Sequence, residues 1–122
     1  MKKIAWYIPI KIVSESNISQ HWSVKRKRHV AQKKWIQAFF LRERPEVTFP
    51  CTVTLTRVAP RFLDDHDNLR VSLKWVVDEI AAQITGNTVP GRADGDDRIT
   101  WLYSQEKGSV REYALIVEIE SV

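Results

Sequence analysis

Aspartate residues gather at two places in this sequence, and closely spaced carboxylates are the side chains here best suited to catalysis. The two clusters are Asp64, Asp65 and Asp67, and Asp94, Asp96 and Asp97. Carboxylates held near one another repel, and a bound cation is the usual means of neutralising them. Oxygen ligands suit Mg²⁺, which polarises a phosphodiester and helps to generate hydroxide from water. The clusters are therefore candidate ligands for a metal ion of this kind, and the lack of a His or Cys cluster argues against zinc.

The spacing of the two clusters is compatible with one shared site. In an extended segment that leads into a helix, Asp65 and Asp67 would point the same way. A helix running out from them and a loop returning to them would bring Asp97 near. The competing interpretation is that aspartates at a helix start cap the backbone and complement the helix dipole. The residues alone leave both interpretations open.

Two cations follow the first cluster at helical spacing. Arg70 lies three residues and Lys74 seven residues after Asp67, which returns both to nearly the same face of a helix. Cations beside an acid site can bind the scissile or flanking phosphates. The alternative for Lys74 is a surface ion pair with Asp78, four residues on, worth only about 0.2–0.5 kcal/mol.

Composition and charge describe a folded basic protein. The 122 residues suit one domain, 1–122, and 43% apolar with 28% charged residues is typical of a globular chain. A net charge of +4 favours a polyanionic partner such as nucleic acid. The one cysteine, Cys51, is interpreted as buried in a strand, in a protein of the reducing cytoplasm. Neither a signal peptide nor a membrane span is expected, because Pro9 and Lys11 interrupt the apolar run at the start.

The elements that would position the aspartates follow a β-α-β-α-β-β order. Strands are predicted at 3–13, 51–58, 98–104 and 111–120, and helices at 23–44 and 68–84. We expect an α/β (α+β) single domain, in which a mixed or antiparallel four-stranded sheet carries two helices on one side. Pro9 indicates that the first strand is an edge strand or has a bulge. The sequence QEKGS predicts a hairpin loop between the last two strands.

Each predicted helix has an inner face and identifiable ends. The first helix is expected to begin at an N-cap Ser23 and to end at Arg44, before a proline. Its predicted inner residues are Ala31, Trp35, Ala38 and Phe39. The second helix is expected to end at Gly86. Its predicted inner residues are Leu69, Leu73, Val76, Val77, Ile80 and Ile84.

The first helix is strongly basic. Its candidate DNA-binding residues are Lys25, Arg26, Lys27, Arg28, Lys33 and Lys34. Charges spread around most of the helix favour contact with phosphates and salt-sensitive binding, and a solvated helix face is the alternative. Trp22 precedes these residues. It either stacks on an unpaired base or packs as a staple at the helix entrance.

One known family shares this arrangement of acids. The run Asp65-His66-Asp67-Asn68-Leu69, the amphipathic helix after it and Asp96-Asp97 before a strand resemble the RusA family of Holliday junction resolvases. Its members occur mostly in bacteriophages and prophages. The resemblance covers roughly residues 60–120, and the N-terminal half agrees in element order and in having a basic helix.

The resemblance implies specific roles for residues of this chain. Asp65, Asp67 and Asp97 match the three metal-binding catalytic acids of the family, and Asn68 and Asp96 match supporting residues. The best-known members carry a lysine where this chain has Val71. Arg70 and Lys74 are the candidates to replace that lysine.

The resemblance also implies an activity. It implies a crossover junction endodeoxyribonuclease that uses Mg²⁺ or Mn²⁺ in DNA recombination and repair, without a small-molecule cofactor or a membrane. The expected enzyme is a homodimer that nicks four-way junctions symmetrically, since a two-fold junction needs two equivalent cuts. Two other functions stay open. One is a non-catalytic basic DNA-binding module, and the other is a related metal nuclease that acts on forks, flaps or RNA.

Overall fold

The computed structural model describes residues 2–14, 21–64, 66–87 and 93–122, and of His66 and Asp67 it describes the backbone alone. The strands are β1 (Lys2–Ile8), β2 (Cys51–Ala59), β3 (Ile99–Lys107) and β4 (Ala114–Ser121). The helices are α1 (Trp22–Glu43), α2 (His66–Ser72) and α3 (Lys74–Thr85), and a 3₁₀ turn spans Ala93–Gly95. Asp65 and residues 88–92 lie outside the described residues.

One mixed sheet organises the fold, as the sequence predicts. The strand order is β1-β4-β2-β3, in which β2 and β3 are parallel and the other pairs are antiparallel. Strand β1 ends before Pro9 and lies at a sheet edge, as the proline indicates. Alternating side chains such as Trp6, Val53 and Val117 are buried on one face, beneath the helices. The other face is polar and includes the ion pair between Lys3 and Glu118 at 3.1 Å.

The predicted hairpin between the last two strands is wrong. Strand β2 lies between β3 and β4, so the last two strands are not hydrogen-bonded neighbours. Gln105 belongs to β3, which continues to Lys107. Strand β3 pairs instead with β2, in parallel. Because parallel strands require a long crossover, the chain between them runs through α2 and α3. This crossover contains most of the candidate acids.

The inner face of α1 is also different from the prediction. Gln32, Ile36 and Phe40 are buried, one residue on from the predicted positions, and Trp35 is 40% exposed. Ala31 and Ala38 are exposed, and Phe39 is half-buried. Contact with α3 sets this orientation. The His29 ring stacks on Trp75 at 4.1 Å between ring centres, and Gln37 donates a hydrogen bond to Glu79 at 3.0 Å.

The ends of the helices are largely as predicted, with one change in the cap of α1. His21, rather than Ser23, is the N-cap, since its Nδ1 accepts a hydrogen bond from the Ser23 backbone N–H at 3.2 Å. Arg44 ends α1 with φ 44°, and Gly86 ends α3 with φ 74°. The left-handed conformation at Gly86 is the one that glycine adopts without steric cost.

The second predicted helix is divided into α2 and α3 at Leu73. Leu73 has φ −99° and ψ 0°, and its N–H donates to the carbonyl of Arg70 at 3.2 Å, three residues back. The Ser72 hydroxyl donates to the carbonyl of Leu69 at 2.7 Å, a bond that competes with regular helix geometry. The predicted inner residues are nevertheless confirmed. All are buried except Ile84, which is half-buried.

Within the described ranges, no helix is both long enough and apolar enough to cross a bilayer. The longest helix, α1, has 22 residues but carries seven lysines and arginines.

Candidate functional site

The loop after β2 leads into the first aspartate cluster and is fastened to the sheet at two points. The buried guanidinium of Arg57 donates from Nε to the carbonyl of Ile12 and from Nη1 to that of Arg61, each at 2.8 Å. Gln105 of β3 accepts from the Leu63 N–H at 2.8 Å and donates to the Leu63 carbonyl at 3.2 Å. These bonds fix the direction in which the chain approaches α2.

A charged groove lies where α2, α3, the 3₁₀ turn and β3 meet. Its lining residues are Arg70, Val71, Lys74, Val77, Asp94, Trp101 and Tyr103. The 3₁₀ turn packs against α3, so the second aspartate cluster does return to the helical segment that follows the first. The Arg70 guanidinium lies 5.9 Å from the centre of the Tyr103 ring. The groove therefore combines a carboxylate, two cations and an aromatic wall.

Asp94, which lines the groove, has a neighbouring carboxyl group in Asp78 of α3. Burial raises the pKa of Asp78, and the nearby carboxyl of Asp94 raises it further. Lys74 and Lys33 act in the opposite direction, because a positive charge favours the ionised carboxylate. Lys74 is thus close to Asp78, as the i+4 spacing predicts, and is also part of the groove.

The Asp78→Asn variant is expected to be more stable than the wild type at pH 7. The raised folded-state pKa means that the native state holds this proton more tightly than the unfolded chain does. Stability is therefore lost as the pH rises from about 3.9, the unfolded value, through the folded pKa. We expect Tm to rise on the order of 2 °C at pH 7 and the gain to vanish near pH 3.5. Thermal unfolding at both pH values measures it, with Asp64→Asn as the control, and an equal gain at both would contradict it.

The predicted acids have different positions. Asp65 lies outside the described residues, and Asp67 lies in the first turn of α2, not in an extended segment. The argument that an extended chain aligns the two carboxylates therefore does not apply to Asp67. Asp97 is exposed in the turn that precedes β3. Asp94, which no sequence argument singled out from its cluster, is the acid that lines the groove.

Asp96 has a structural role in the same turn. It accepts three hydrogen bonds from Arg98, one from the backbone N–H at 3.0 Å and two from the guanidinium at 3.0 Å and 2.7 Å. These bonds lower the pKa of Asp96 to about 2. The Arg98 carbonyl in turn accepts from the Cys51 N–H at 3.0 Å, which joins the acidic turn to the start of β2. Cys51 is buried, as predicted, and burial raises the pKa of its thiol.

The position at which the resembled family carries lysine also lies at the groove. Val71 is 48% exposed, and its neighbours on the helical segment, Arg70 and Lys74, line the groove with it. Asn68 is half-buried on α2. Among the side chains that the structure describes, which exclude those of Asp65 and Asp67, no three His, Cys, Asp or Glu residues group as metal ligands.

The candidate DNA-binding residues of α1 divide into two sets. Lys25, Arg28 and Lys33 are half-buried, and Lys33 Nζ lies 6.0 Å from the centre of the Trp75 ring on α3. The other three are exposed and lie on a different face, here called the outer basic face. This face consists of Trp22, Ser23, Arg26, Lys27, Val30, Ala31 and Lys34, which line one shallow depression.

The excess positive charge of the chain resides in α1. This helix holds seven Lys and Arg residues and one Glu, whereas the rest of the chain holds 12 basic and 14 acidic residues. A polyanion would therefore meet α1 as the attractive part of the molecule. Comparison of the chain with protein-family models and with curated proteins finds no match.

Proposed function

We propose that the chain is a metal-dependent, structure-selective DNA endonuclease that resolves four-way junctions by symmetric nicking, in DNA recombination and repair. Asp65, Asp67 and Asp97 are its proposed metal ligands and catalytic acids. The basis is the acidic sequence pattern and its resemblance to the RusA family. The proposed metal is Mg²⁺, with Mn²⁺ as a substitute, and no small-molecule cofactor is required.

The observation that carries the proposal is the charged groove itself. The acidic turn after α3 packs back onto that helix and presents Asp94 to a groove that also contains Arg70. Asp67 occupies α2 one helical turn before Arg70, so both aspartate clusters approach one region of the fold. A purely capping role for the aspartates would not require the turn that holds the second cluster to pack against α3.

The donor chemistry of this region fits a hard divalent cation. Carboxylate oxygens are the usual protein ligands of Mg²⁺. Burial raises the pKa of Asp78, and the carboxyl of Asp94 is near enough to raise it further. When bound, the ion would polarise the scissile phosphodiester and help to form the attacking hydroxide. Arg70 and Lys74 would hold the phosphate, a role that the family's lysine would otherwise supply at Val71.

The supporting residues orient this region rather than react. Asp96 holds the acidic turn through its bonds to Arg98, which determines where the neighbouring Asp97 is presented. Asn68 lies next to Asp67 on α2 and is proposed to support the same end of the helix. A homodimer is proposed because each chain would supply one such site, and two opposed strands of a junction must be cut.

A second function is favoured by the charge distribution. The outer basic face of α1 would bind DNA phosphates whether or not the aspartates bind a metal, so a non-catalytic DNA-binding module is the main alternative. This alternative predicts salt-sensitive DNA binding without nicking in any divalent metal. A third possibility keeps the metal chemistry but has forks, flaps or RNA as the substrate.

Cleavage of a panel of labelled substrates tests these functions together. The full chain would be incubated with a four-way junction, a fork, a flap, a duplex and an RNA of matched lengths, with Mg²⁺, Mn²⁺ or EDTA. We expect paired nicks at symmetric positions in the junction with either metal and none with EDTA. Binding without nicking under every condition would support the non-catalytic module, and preferred cutting of another substrate would change the proposed substrate.

A further inference from the structure

Trp22 is an exposed aromatic side chain at the start of the most basic element of the chain. Its side chain is 67% exposed, although tryptophan buries a large apolar surface when it can. It is the first residue of α1, and its ring lies beside that of the N-cap His21, with 5.5 Å between ring centres. The staple interpretation is wrong, because a staple residue precedes the N-cap, whereas Trp22 follows the N-cap His21.

Cations follow Trp22 along the outer basic face. Arg26, Lys27 and Lys34 line the same depression at helical intervals after it. The face extends twelve residues from Trp22 to Lys34, about 18 Å at the rise of an α-helix. No carboxylate lines this depression among the residues that the structure describes.

An exposed aromatic ring followed by a row of cations matches one class of ligand chemistry. Proteins that hold single strands combine cations that follow the phosphates with aromatic rings on which bases stack. A paired duplex presents phosphates to such a surface but keeps its bases stacked. A single-stranded arm offers unpaired bases at low cost, and the crossover of a four-way junction interrupts the stacking of bases that remain paired. A protein partner would need an acidic surface to meet these cations, and it would have no base to stack on the Trp22 ring.

We infer that Trp22 is a base-stacking residue, and that the outer basic face binds a segment of a DNA strand at the branch point, where the regular pairing or stacking of the duplex is interrupted. Arg26, Lys27 and Lys34 hold the phosphates of that segment, and Trp22 stacks on one of its bases. The inference rests on the proposed nuclease function for the identity of the substrate. It assigns to α1 the recognition of branched structure, which is distinct from the charged groove that would cut.

Fluorescence anisotropy without divalent metal tests the inference independently of cleavage. Two labelled probes are compared, a fork with two single-stranded arms and a fully paired duplex of the same length. Trp22→Ala is expected to weaken fork binding on the order of 10-fold, as loss of one stacked base does, and duplex binding less than about twofold. Trp22→Phe keeps an aromatic face and is expected to retain fork binding within about threefold.

Two controls keep the result specific to stacking. Trp35 is also exposed on α1 but does not line the outer basic face, so Trp35→Ala is expected to leave fork binding unchanged. Trp22→Leu keeps apolar bulk without a π face and is expected to weaken fork binding as much as Trp22→Ala does. It tests the loss of the aromatic face even if Trp22→Ala folds poorly. The salt dependence of Kd should be the same for Trp22→Ala and the wild type, because both retain every cation that binds phosphate.

Three outcomes would overturn the inference. They are an equal loss on fork and duplex, no loss with Trp22→Ala, and an equal loss with Trp35→Ala. The nuclease proposal is tested separately by the substrate panel. If Trp22 is needed to discriminate fork from duplex and no substrate is nicked, the binding inference is supported and the nuclease proposal is refuted. If junctions are nicked and Trp22→Ala changes neither nicking nor fork binding, the nuclease proposal is supported and the binding inference is refuted.

Discussion

The Asp67→Asn variant is expected to lose junction cleavage by more than about 100-fold while binding junction DNA within about threefold of the wild type. Loss of a group that merely orients a metal ligand commonly costs 10–100-fold, and loss of the ligand itself should cost more. Asparagine keeps the size of the side chain and the helical position but removes the charge that would attract the cation. Binding should survive because the excess positive charge of the chain lies in α1, and the substitution leaves Arg70 of α2 in place.

Single-turnover cleavage of a labelled junction in Mg²⁺, with binding measured separately in EDTA, gives both quantities. Asp64→Asn is the matched control, since Asp64 belongs to the same cluster and its side chain is exposed in the loop before α2. Asp65→Asn is expected to behave like Asp67→Asn. Full cleavage by Asp65→Asn, Asp67→Asn and Asp97→Asn alike would refute the assignment of the acids.

The sequence pattern and the structure of the groove indicate different residues as the third acid. The resemblance assigns it to Asp97, which is exposed, whereas Asp94 lines the groove with Arg70. We expect Asp97→Asn to abolish cleavage and Asp94→Asn to retain it within about 10-fold, the lower limit for loss of an orienting group. If only Asp94→Asn abolishes cleavage, the third ligand is Asp94 and the correspondence with the family fails at this position.

Strands were easier to predict from this sequence than helix orientation. The strand faces follow directly from alternation, because one face of the sheet meets the core and the other carries Thr, Lys and Glu. In α1 the cations are spread around the helix, so no single side is distinguished as the one that faces solvent. The phase was therefore wrong by one residue, and hydropathy could not distinguish buried Gln32 from exposed Lys34.

Tertiary contacts explain the remaining differences. The proximity of β3 and β4 in the chain suggested a hairpin, but the long crossover from β2 pairs β3 with β2. The break at Leu73 leaves the apolar spacing intact, so periodicity could not reveal it. Similarly, three aspartates within four residues are equivalent in sequence, and the 3₁₀ turn decides that Asp94 meets the groove. Arg57 and Gln105 hold the loop after β2 through their side chains, but in the sequence nothing distinguishes them from other polar strand residues.

Neutralising the outer basic face is expected to reduce junction affinity on the order of 100-fold at low salt, without changing cleavage at saturating DNA. The triple variant Arg26→Ala, Lys27→Ala, Lys34→Ala removes three exposed cations that line one depression. Removal of each phosphate-binding cation should lower the slope of log K against log salt by about one, so the slope should fall by about three. Anisotropy titrations from low to physiological salt measure both effects.

The matched control removes the same net charge from elsewhere on the surface. Lys2, Lys107 and Arg111 are exposed residues outside α1, so their replacement by Ala tests whether total charge alone governs binding. We expect this control to change the affinity by less than about threefold at about 0.1 M salt, where attraction between distant charges is screened within roughly 10 Å, and to leave the salt slope unchanged. Equal losses in the two triple variants would show that no particular face holds DNA. A lower cleavage rate at saturation, seen only in the α1 variant, would instead show that α1 contributes to catalysis, and the division between binding by α1 and cutting at the groove would be wrong.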